Sequence, residues 1–438
     1  MKIAVAGDAL IQRRIPANYP GAQGIREWVC EADARYFNLE TTIFREYETQ
    51  WGSSLNGGSY LRADPEVLLD LMDYGFNMTS FVNNHSLDYD IPGLIKTMEY
   101  VTESGLVHAG CGMNLDQAAA PAYLDLDNGR VALIAFTASM NSEFQNVGMA
   151  GRQSRRVPGR PGPNQLRVHE TLIVTEKQME ALKEIEEQTG VNGALNISRA
   201  EGYTLPAKVG TLDYGKHTHF RVGDVPHMET VCEKKDLQRL EDNIRQARFQ
   251  SDVVLVGIHA HQLEGTSKEN PAAFLQEFAH HAIDCGADAV IGHGPHLLRP
   301  MEIYKGKPIF YSLGDFIMHN ENVPYSPEDA YEKYGYSSND MMHDMLKART
   351  KGFTVGLMST PKMMETVIPR WETDDETGKV TKLELLAVDL GLGQGLHKGR
   401  VGNPRPAENS AILERYAEMS APYGVKMTIN GNVATVEI

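Results

Sequence analysis

The chain has 438 residues, a length that suffices for a large core and for two or three subdomains. Its 42 basic and 58 acidic residues give a net charge of −16, which argues against a general binder of nucleic acid or of anionic membranes, because such a protein needs a cationic face. Hydrophobic residues make up 42% of the sequence, and no apolar stretch approaches the roughly 18 residues that span a bilayer, so we expect a globular protein without a membrane partner.

The first 140 residues alternate between short apolar runs and segments whose apolar residues recur at helical spacing. Such alternation is typical of a layered α/β sheet. In chain order it predicts a strand over Lys2 to Ala6, a helix over Ile25 to Ala34, a strand over Ala34 to Leu39, a helix over Pro65 to Met72, a strand over Phe76 to Val82, a helix over Gly93 to Gly105, a strand from Val107 and a strand over Arg130 to Phe136.

Residues 141 to about 235 interrupt this rhythm with a loop rich in Arg, Pro and Gly and a charged helix over Glu176 to Gln188, and we interpret them as an insertion. We predict an α/β core over residues 1–320 that contains this insertion, and an extension over 321–438 whose strands complete the core or pack on it. After the insertion the sequence predicts helices over Lys235 to Gln250, Asn270 to Cys285 and Ala407 to Met419, and a polar helical segment over 322–350. It also predicts a hairpin over Glu302 to Leu313, and strands over Asp252 to Gly257, Asp288 to Ile291, Phe353 to Leu357, Val380 to Asp389 and Val425 to Ile438.

Side chains that bind metals follow several of these predicted strands. Open α/β sheets bind ligands at the carboxyl ends of their strands, so we expect such side chains to converge on one or two divalent ions. Sets of oxygen and nitrogen ligands without cysteine suit Zn, Mn or Fe. The predicted ligands are Asp8, Glu40, Asn84, His259, His293 and His296.

His85 stands next to the predicted ligand Asn84 and is predicted to be catalytic, as the donor of a proton to a leaving group. Asp88, three residues further on, either orients the His85 imidazole or caps the following helix. Each motif alone has an ordinary structural reading, since a Gly-Asp pair after a strand is common. The occurrence of all of them in one chain favours a metal site, whereas His280 and His281 lie inside a predicted helix and are read as structural.

With these motifs the chain resembles the CapA-type poly-γ-glutamate capsule synthesis proteins of the calcineurin-like metallophosphoesterase superfamily. The resemblance implies a four-layered α/β/β/α sandwich with the metals at one edge of its two sheets. It also implies that the six residues named above supply the ligands and that His85 is the acid or the stabiliser of the transition state. The motifs that carry it are Gly7-Asp8, Asn38-Leu39-Glu40, Asn83 to Asp88, His259, Gly292 to His296 and Tyr311 to Phe316.

The sequence also departs from the superfamily's pattern. Asp8 is followed by Ala9-Leu10, where the superfamily has Asp-x-His, so the count of metal ions is left at one or two. Ala260-His261 follows His259, where the branch usually has Trp-Gly, and His261 is either an extra ligand or a substrate contact.

Four arginines of the insertion, Arg152, Arg155, Arg156 and Arg160, are predicted to bind an anionic substrate, because guanidinium groups pair with carboxylate or phosphate. The alternative is a solvated loop without a ligand.

The motifs and the resemblance together predict a metal-dependent hydrolase that acts on a small anionic substrate. The superfamily implies a phosphoester, and the branch implies a γ-glutamyl-type amide. The alternative is a non-catalytic, metal-binding assembly factor for the synthesis of a poly-γ-glutamate-type polymer. The N-terminal apolar run turns polar within eight residues, which is too short for a signal-peptide core, and the four cysteines form no CxxC pair, so we expect a cytoplasmic protein. Assembly into a homo-oligomer is left open by the sequence.

Overall fold

The structure, a computed structural model, describes residues 1–48, 50–56, 58–139, 148–215, 217–320, 323–374, 377–392 and 401–438. Its helices, numbered α1 to α11 in chain order, are Ala22–Cys30, Val67–Asp73, Asp90–Ser104, Leu115–Ala119, Glu176–Thr189, Gly193–Ala200, Lys234–Arg248, Ala273–Asp284, Glu328–Glu332, Met342–Arg349 and Ala411–Ser420. Its strands, numbered β1 to β24, are Lys2–Leu10, Ala34–Leu39, Thr42–Ile43, Arg62–Ala63, Met78–Ser80, Val107–Ala109, Cys111–Gly112, Ala122–Leu126, Gly129–Thr137, Gly162–Pro163, Val168–Val174, Thr211–Tyr214, Thr218–Val222, His227–Cys232, Val253–His259, Ala289–His293, Leu298–Tyr304, Lys307–Leu313, Asp315–Met318, Glu365–Thr373, Val380–Asp389, Arg405–Pro406, Met427–Asn430 and Val433–Val436.

The first large sheet has the strand order β23-β24-β21-β20-β1-β2-β5-β6. Strands β1, β2, β5 and β6 run parallel, while β20 pairs with β1 antiparallel. The carboxyl end of β1 has a further parallel partner, β19, which brings Asp8 opposite Asp315. The strands from residue 365 onward therefore extend the sheet that β1 begins, and the bounds of the two predicted domains stay a prediction.

The second large sheet has the order β17-β18-β16-β15-β9-β8. Its four central strands are parallel, and the edge strands β8 and β17 are antiparallel. Every residue of β15, Val253–His259, is buried. A continuous apolar run of this kind is typical of a parallel strand that is covered on both faces.

The two sheets pack face to face between layers of helices, which makes a four-layered α/β/β/α sandwich. Leu133 and Leu255 of the second sheet belong to one buried cluster with Val5 and Met78 of the first sheet, and this cluster continues into helices α1 and α2. On the other face of the second sheet, a separate cluster joins alternate residues of β9 and β15 to helices α7 and α8. The sequence-based expectation of this fold is confirmed.

The predicted insertion contains a small sheet of its own. Strands β11 to β14 pair in the order β12-β13-β11-β14, with helices α5 and α6 in the same stretch of chain. Residues 141–147, where the insertion was predicted to begin, lie outside the described residues. Among the residues that are described, no helix combines the length and the apolar character needed to cross a lipid bilayer.

Several predicted elements have the observed bounds, notably Ala34–Leu39 and Val380–Asp389. The predicted strand over Phe353 to Leu357 is wrong, because this stretch consists of turns that lead into a 3₁₀ helix at Leu357–Ser359. Phe353 and Gly356 both have positive φ angles, of 61° and 107°, which no extended strand allows. The single predicted strand over Val425 to Ile438 is instead the antiparallel pair β23 and β24.

Gly7 allows β1 to approach the turn before β19. A Cβ atom at position 7 would lie 1.9 Å from the carbonyl oxygen of Gly314, and the neighbouring Asp8 amide donates to that same oxygen at 3.0 Å. No side chain fits between these two segments, so the glycine fixes the position of Asp8 beside Asp315.

We expect Gly7→Ala to lower the free energy of unfolding by about 2 kcal/mol or more, because an added methyl group in a packed position forces the backbone to shift. Gly193→Ala is the matched control, since nothing lies within 4 Å of a Cβ atom there and the residue begins a helix. Urea unfolding of both variants measures the difference. Equal midpoints for the two variants would contradict the assigned role of Gly7.

Candidate metal centre

The carboxyl ends of strands from both sheets meet at one edge of the sandwich. Asp8 lies in β1, Glu40 directly follows β2, and His259 and His293 end the neighbouring strands β15 and β16. Asn84 lies in the loop after β5. The structure thus brings together side chains that are spread over nearly 300 residues of sequence, as expected from the shared direction of the strands.

Asp8, His259 and His293 form the tightest group. The Nδ1 atoms of His259 and His293 each lie 3.5 Å from Oδ1 of Asp8 and 3.0 Å from each other, and all three residues are buried. Ligand atoms about 2.0–2.2 Å from a shared tetrahedral ion lie roughly 3.3–3.6 Å apart. The two distances to Asp8 therefore fit a bound divalent cation, while the two imidazole nitrogens lie somewhat closer together than such ligands do.

A second group combines Asp8 with Glu40, His296 and Asp315, whose ligand atoms lie within 4.8 Å of one another. Both carboxylate oxygens of Glu40 and Oδ2 of Asp315 are buried without a hydrogen-bond donor among the described residues. An ionised carboxylate buried without a partner costs several kcal/mol, so these oxygens fit the need for a cation. Asp8 belongs to both groups, as a carboxylate that bridges two ions would.

Asn84 and His261 lie beside Nε2 of His259, whereas Asp8 lies beside its Nδ1. The Asn84 amide oxygen is 2.7 Å from Nε2 of His259 and 3.3 Å from Nε2 of His261. With Glu40, the two imidazoles make a further group that could hold an ion. His261 is therefore placed where an extra ligand would be, and its role, like that of the other predicted ligands, stays a prediction.

The pKa values of the imidazoles shift in different directions. Burial lowers the pKa of His293 to about 3, and it also lowers the pKa values of His259 and His261 below their ordinary range. Neutral imidazole is the form that binds metals. For His296, burial opposes protonation but the Asp315 carboxylate, 2.9 Å from Nδ1, outweighs it and raises the pKa.

Burial has the opposite effect on the acidic groups. Burial, reinforced by the charge of Asp8, raises the pKa of Glu40 well above its ordinary value. It raises the pKa of Asp315 to about 6, against the attraction of His296. For Asp8, burial is outweighed by the nearby imidazole of His259, and the pKa lies below its ordinary value.

His85 and Asp88 form a buried pair beside these groups. Nδ1 of His85 lies 2.7 Å from Oδ2 of Asp88, an oxygen that also accepts a hydrogen bond from the Leu61 amide at 2.8 Å. The N-cap of the next helix is Tyr89. The geometry thus favours the orienting role for Asp88 over the capping role. Nε2 of His85 is 3.8 Å from Oε1 of Glu40, and the residue lines a cavity next to the groups described above.

A chain of buried hydrogen bonds holds the first ligand group in place. The Tyr36 hydroxyl lies 3.0 Å from Nε2 of His293 and 2.6 Å from the Ser80 hydroxyl. Ser80 donates to the Asn38 amide oxygen, and Asn38 donates to Oδ1 of Asp8, both at 2.7 Å. Outer partners of this kind fix the orientation of metal ligands.

The four arginines predicted to bind substrate, Arg152, Arg155, Arg156 and Arg160, lie on an exposed loop. Arg152 faces Asp116 at 3.7 Å, and Nε of Arg160 donates to the Met149 carbonyl. In the described part of the chain, the cationic side chains that line the cavity beside His85 and His296 are instead Lys268 and Arg349. The assignment of the arginine loop to the substrate stays a prediction.

Sequence reasoning missed Asp315 as a member of the site. The pair Gly314-Asp315 follows an apolar run, as the pair Gly7-Asp8 does. This repetition of the Gly-Asp motif was the signal that could have identified Asp315 as a candidate ligand. It also missed Arg299, which is fully buried and donates to the carbonyls of Ala260, His261, Gln262 and Lys268. This arginine holds the loop that carries His261.

The family described as "Bacterial capsule synthesis protein PGA_cap" matches residues 2–320. The uncharacterized protein y4sH of Sinorhizobium fredii is 32% identical over 447 residues, which cover 100% of this chain and 93% of the relative. The PGA biosynthesis protein CapA of Bacillus subtilis is 23% identical over 268 residues, or 59% of this chain and 49% of the relative. Among solved structures, a phosphatase from Mycoplasma pneumoniae shares 11% identity with a TM-score of 0.40, and the match covers 89% of this chain and 93% of that chain.

We expect Mn, Zn or Fe to raise the free energy of unfolding of the wild-type protein, by about 2.7 kcal/mol when the free ion is 100-fold above its Kd. Glu40→Gln removes a buried carboxylate whose oxygens accept no hydrogen bond from the described residues, so it should lose most of this gain. Glu302→Gln is the matched control, because Glu302 already accepts from the Tyr311 hydroxyl at 2.7 Å. Thermal unfolding with and without metal, together with elemental analysis, measures the effect. An unchanged metal-induced gain in Glu40→Gln would remove this residue from the site.

Proposed function

The chain belongs to the family of bacterial capsule synthesis proteins described as PGA_cap, and on that premise we propose that it is a metal-dependent hydrolase of a small anionic substrate. The observation that supports this most strongly is the set of buried carboxylate oxygens of Glu40 and Asp315 that have no described donor, surrounded by imidazoles and adjoining a cavity. A purely structural cluster would satisfy these groups with protein donors.

The proposed ligands are Asp8, Glu40, Asn84, His259, His293, His296 and Asp315, with His261 as a further one. When bound there, a divalent cation polarises an oxygen of the substrate and makes hydroxide available near neutral pH. The chain's own residues position the substrate and handle the proton. Metal identity among Mn, Zn and Fe, and the count of one or two ions, belong to the same proposal.

His85 is proposed as the general acid. Its Nδ1 is fixed by Asp88, so Nε2 is the nitrogen left to face the cavity and the leaving group. The Asp88 carboxylate, as the partner of Nδ1, holds the imidazole in the orientation from which Nε2 can donate a proton to the leaving group. The two residues are only 5% and 0% exposed, which keeps bulk water from competing for this proton.

Both substrate classes are compatible with this arrangement. A phosphoester and a γ-glutamyl-type amide each need a polarised oxygen and a protonated leaving group. The alternative function, a non-catalytic assembly factor that retains a structural metal, predicts metal binding without turnover. A cytoplasmic setting stays a prediction from the sequence.

We expect His85→Ala to lower kcat about 10²- to 10⁴-fold for substrates with poor leaving groups, namely an alkyl phosphate or a γ-glutamyl alkylamide. The loss should be much smaller for p-nitrophenyl phosphate, because p-nitrophenolate leaves without protonation. Steady-state kinetics of the Mn- or Zn-loaded protein measures both. His169→Ala is the control, since His169 lies in the insertion and pairs with Glu233.

The pattern of results separates the alternatives. A loss in His85→Ala that is the same for good and poor leaving groups would show that His85 is not the acid. Stoichiometric metal without hydrolysis of either substrate class would favour the assembly factor over the hydrolase.

A further inference from the structure

A cavity of about 520 Å³ adjoins the candidate metal centre. His85 and His296 line it on the side of the metal centre. Its volume lies in the range of sites for small organic molecules. Much of the remaining wall comes from residues between Leu346 and Met363, that is, from the extension beyond residue 320.

Among the described residues, two cationic side chains line this cavity, those of Lys268 and Arg349. Arg349 ends helix α10 and is partly buried, with NH1 3.4 Å from the Ser59 hydroxyl. Neither cation has a carboxylate within ion-pair distance in the part of the chain that the structure describes, although the protein carries 58 acidic residues. Partly buried guanidinium groups usually pair with an anion, so the cavity offers a place for one.

The two cations occupy different positions relative to the metal centre. Lys268 lines the cavity together with His85 and His296, so this ammonium group lies near the reacting centre. Its main chain is held there by the buried Arg299, which donates from Nε to the Lys268 carbonyl at 2.8 Å. Arg349 belongs to a different segment, in the wall built by the extension.

That wall is otherwise mostly apolar. Phe353, Leu357, Met358 and Met363 line the cavity, and Phe353 keeps a left-handed backbone conformation that is rare for a bulky residue. Residues held in sparsely populated backbone conformations cluster at sites that bind ligands. The wall therefore combines one cation with a surface suited to hydrocarbon or aromatic groups.

We propose that this cavity selects substrates that carry a carboxylate remote from the bond that is broken, joined to it by an apolar body. In this assignment Arg349 binds the remote carboxylate, Phe353 and its apolar neighbours contact the body, and Lys268 faces the group at the reacting centre. The assignment rests on the proposed hydrolase function for its catalytic consequences. The binding preference itself does not depend on turnover.

Paired substrates test the proposal on the Mn-loaded protein. One pair is 4-carboxyphenyl phosphate and phenyl phosphate, and the other is γ-glutamyl-p-nitroanilide and the same amide without its α-carboxylate. For the pair that the wild type hydrolyses, the KM of the carboxylated substrate should be at least about tenfold lower than the KM of its partner without the carboxylate. A charge-assisted hydrogen bond has about this effect. Arg349→Met should abolish this preference, and Arg349→Lys should restore part of it.

Lys347→Met is the matched control, because Lys347 is an exposed cation on the same helix and does not line the cavity. It should keep the wild-type preference. If neither pair is hydrolysed, the proposed function fails, and calorimetric titration with 4-phenylbutyrate and 4-phenylbutanol then tests the cavity alone. The acid should bind about tenfold or more tightly than the alcohol to wild type and to Lys347→Met, but not to Arg349→Met. An equal affinity for both probes, or a preference that persists in Arg349→Met, would overturn the proposal.

Discussion

Negative charge is buried at the edge where the two sheets meet, and the surrounding side chains have to compensate it. Asp8, Glu40 and Asp315 are fully buried, and three of their six carboxylate oxygens have no donor among the described residues. The protein supplies only part of the compensation, since Asp8 accepts from Asn38 and from the Gly294 amide, while Asp315 contacts His296. Without a cation, the remaining oxygens carry either an uncompensated charge or a proton, and the raised pKa values of Glu40 and Asp315 favour the proton. A bound cation would compensate the charged forms directly, so metal affinity and fold stability are linked at this point.

The architecture explains how these charges are brought together. Parallel strands present their carboxyl ends at one edge, and β19 adds a second acidic residue beside β1 through the close contact of Gly7 with Gly314. His296 lies near this junction with a φ of 60°, a conformation that only a well-packed surrounding maintains in a residue other than glycine. The extension after residue 320 contributes twice, through strands that continue the first sheet and through the wall of the adjoining cavity.

Much of this could be predicted from sequence because it depends on local patterns. Buried parallel strands appear as apolar runs, and ligands such as Asp8 and His293 stand in or directly after those runs. The turns at Phe353 could not be predicted, since the alternating apolar residues of that stretch have the pattern of a half-buried strand although they face a cavity. Two features depend on contacts between distant segments, which leave no local periodic signal. One is the position of Asp8 opposite Asp315. The other is the presence of Arg349 at the cavity in place of the predicted arginine loop.

Anomalous X-ray scattering from crystals grown with Mn, Fe or Zn would show whether a cation occupies this edge of the sandwich, because it locates and identifies bound ions together. We expect a strong anomalous peak at the absorption edge of the bound metal, within coordination distance of Asp8, His259 and His293, with any second ion near Glu40, His296 and Asp315. A well-ordered crystal with no anomalous peak among these residues in the presence of each metal, or with Asp8 and His293 turned toward separate parts of the molecule, would contradict it.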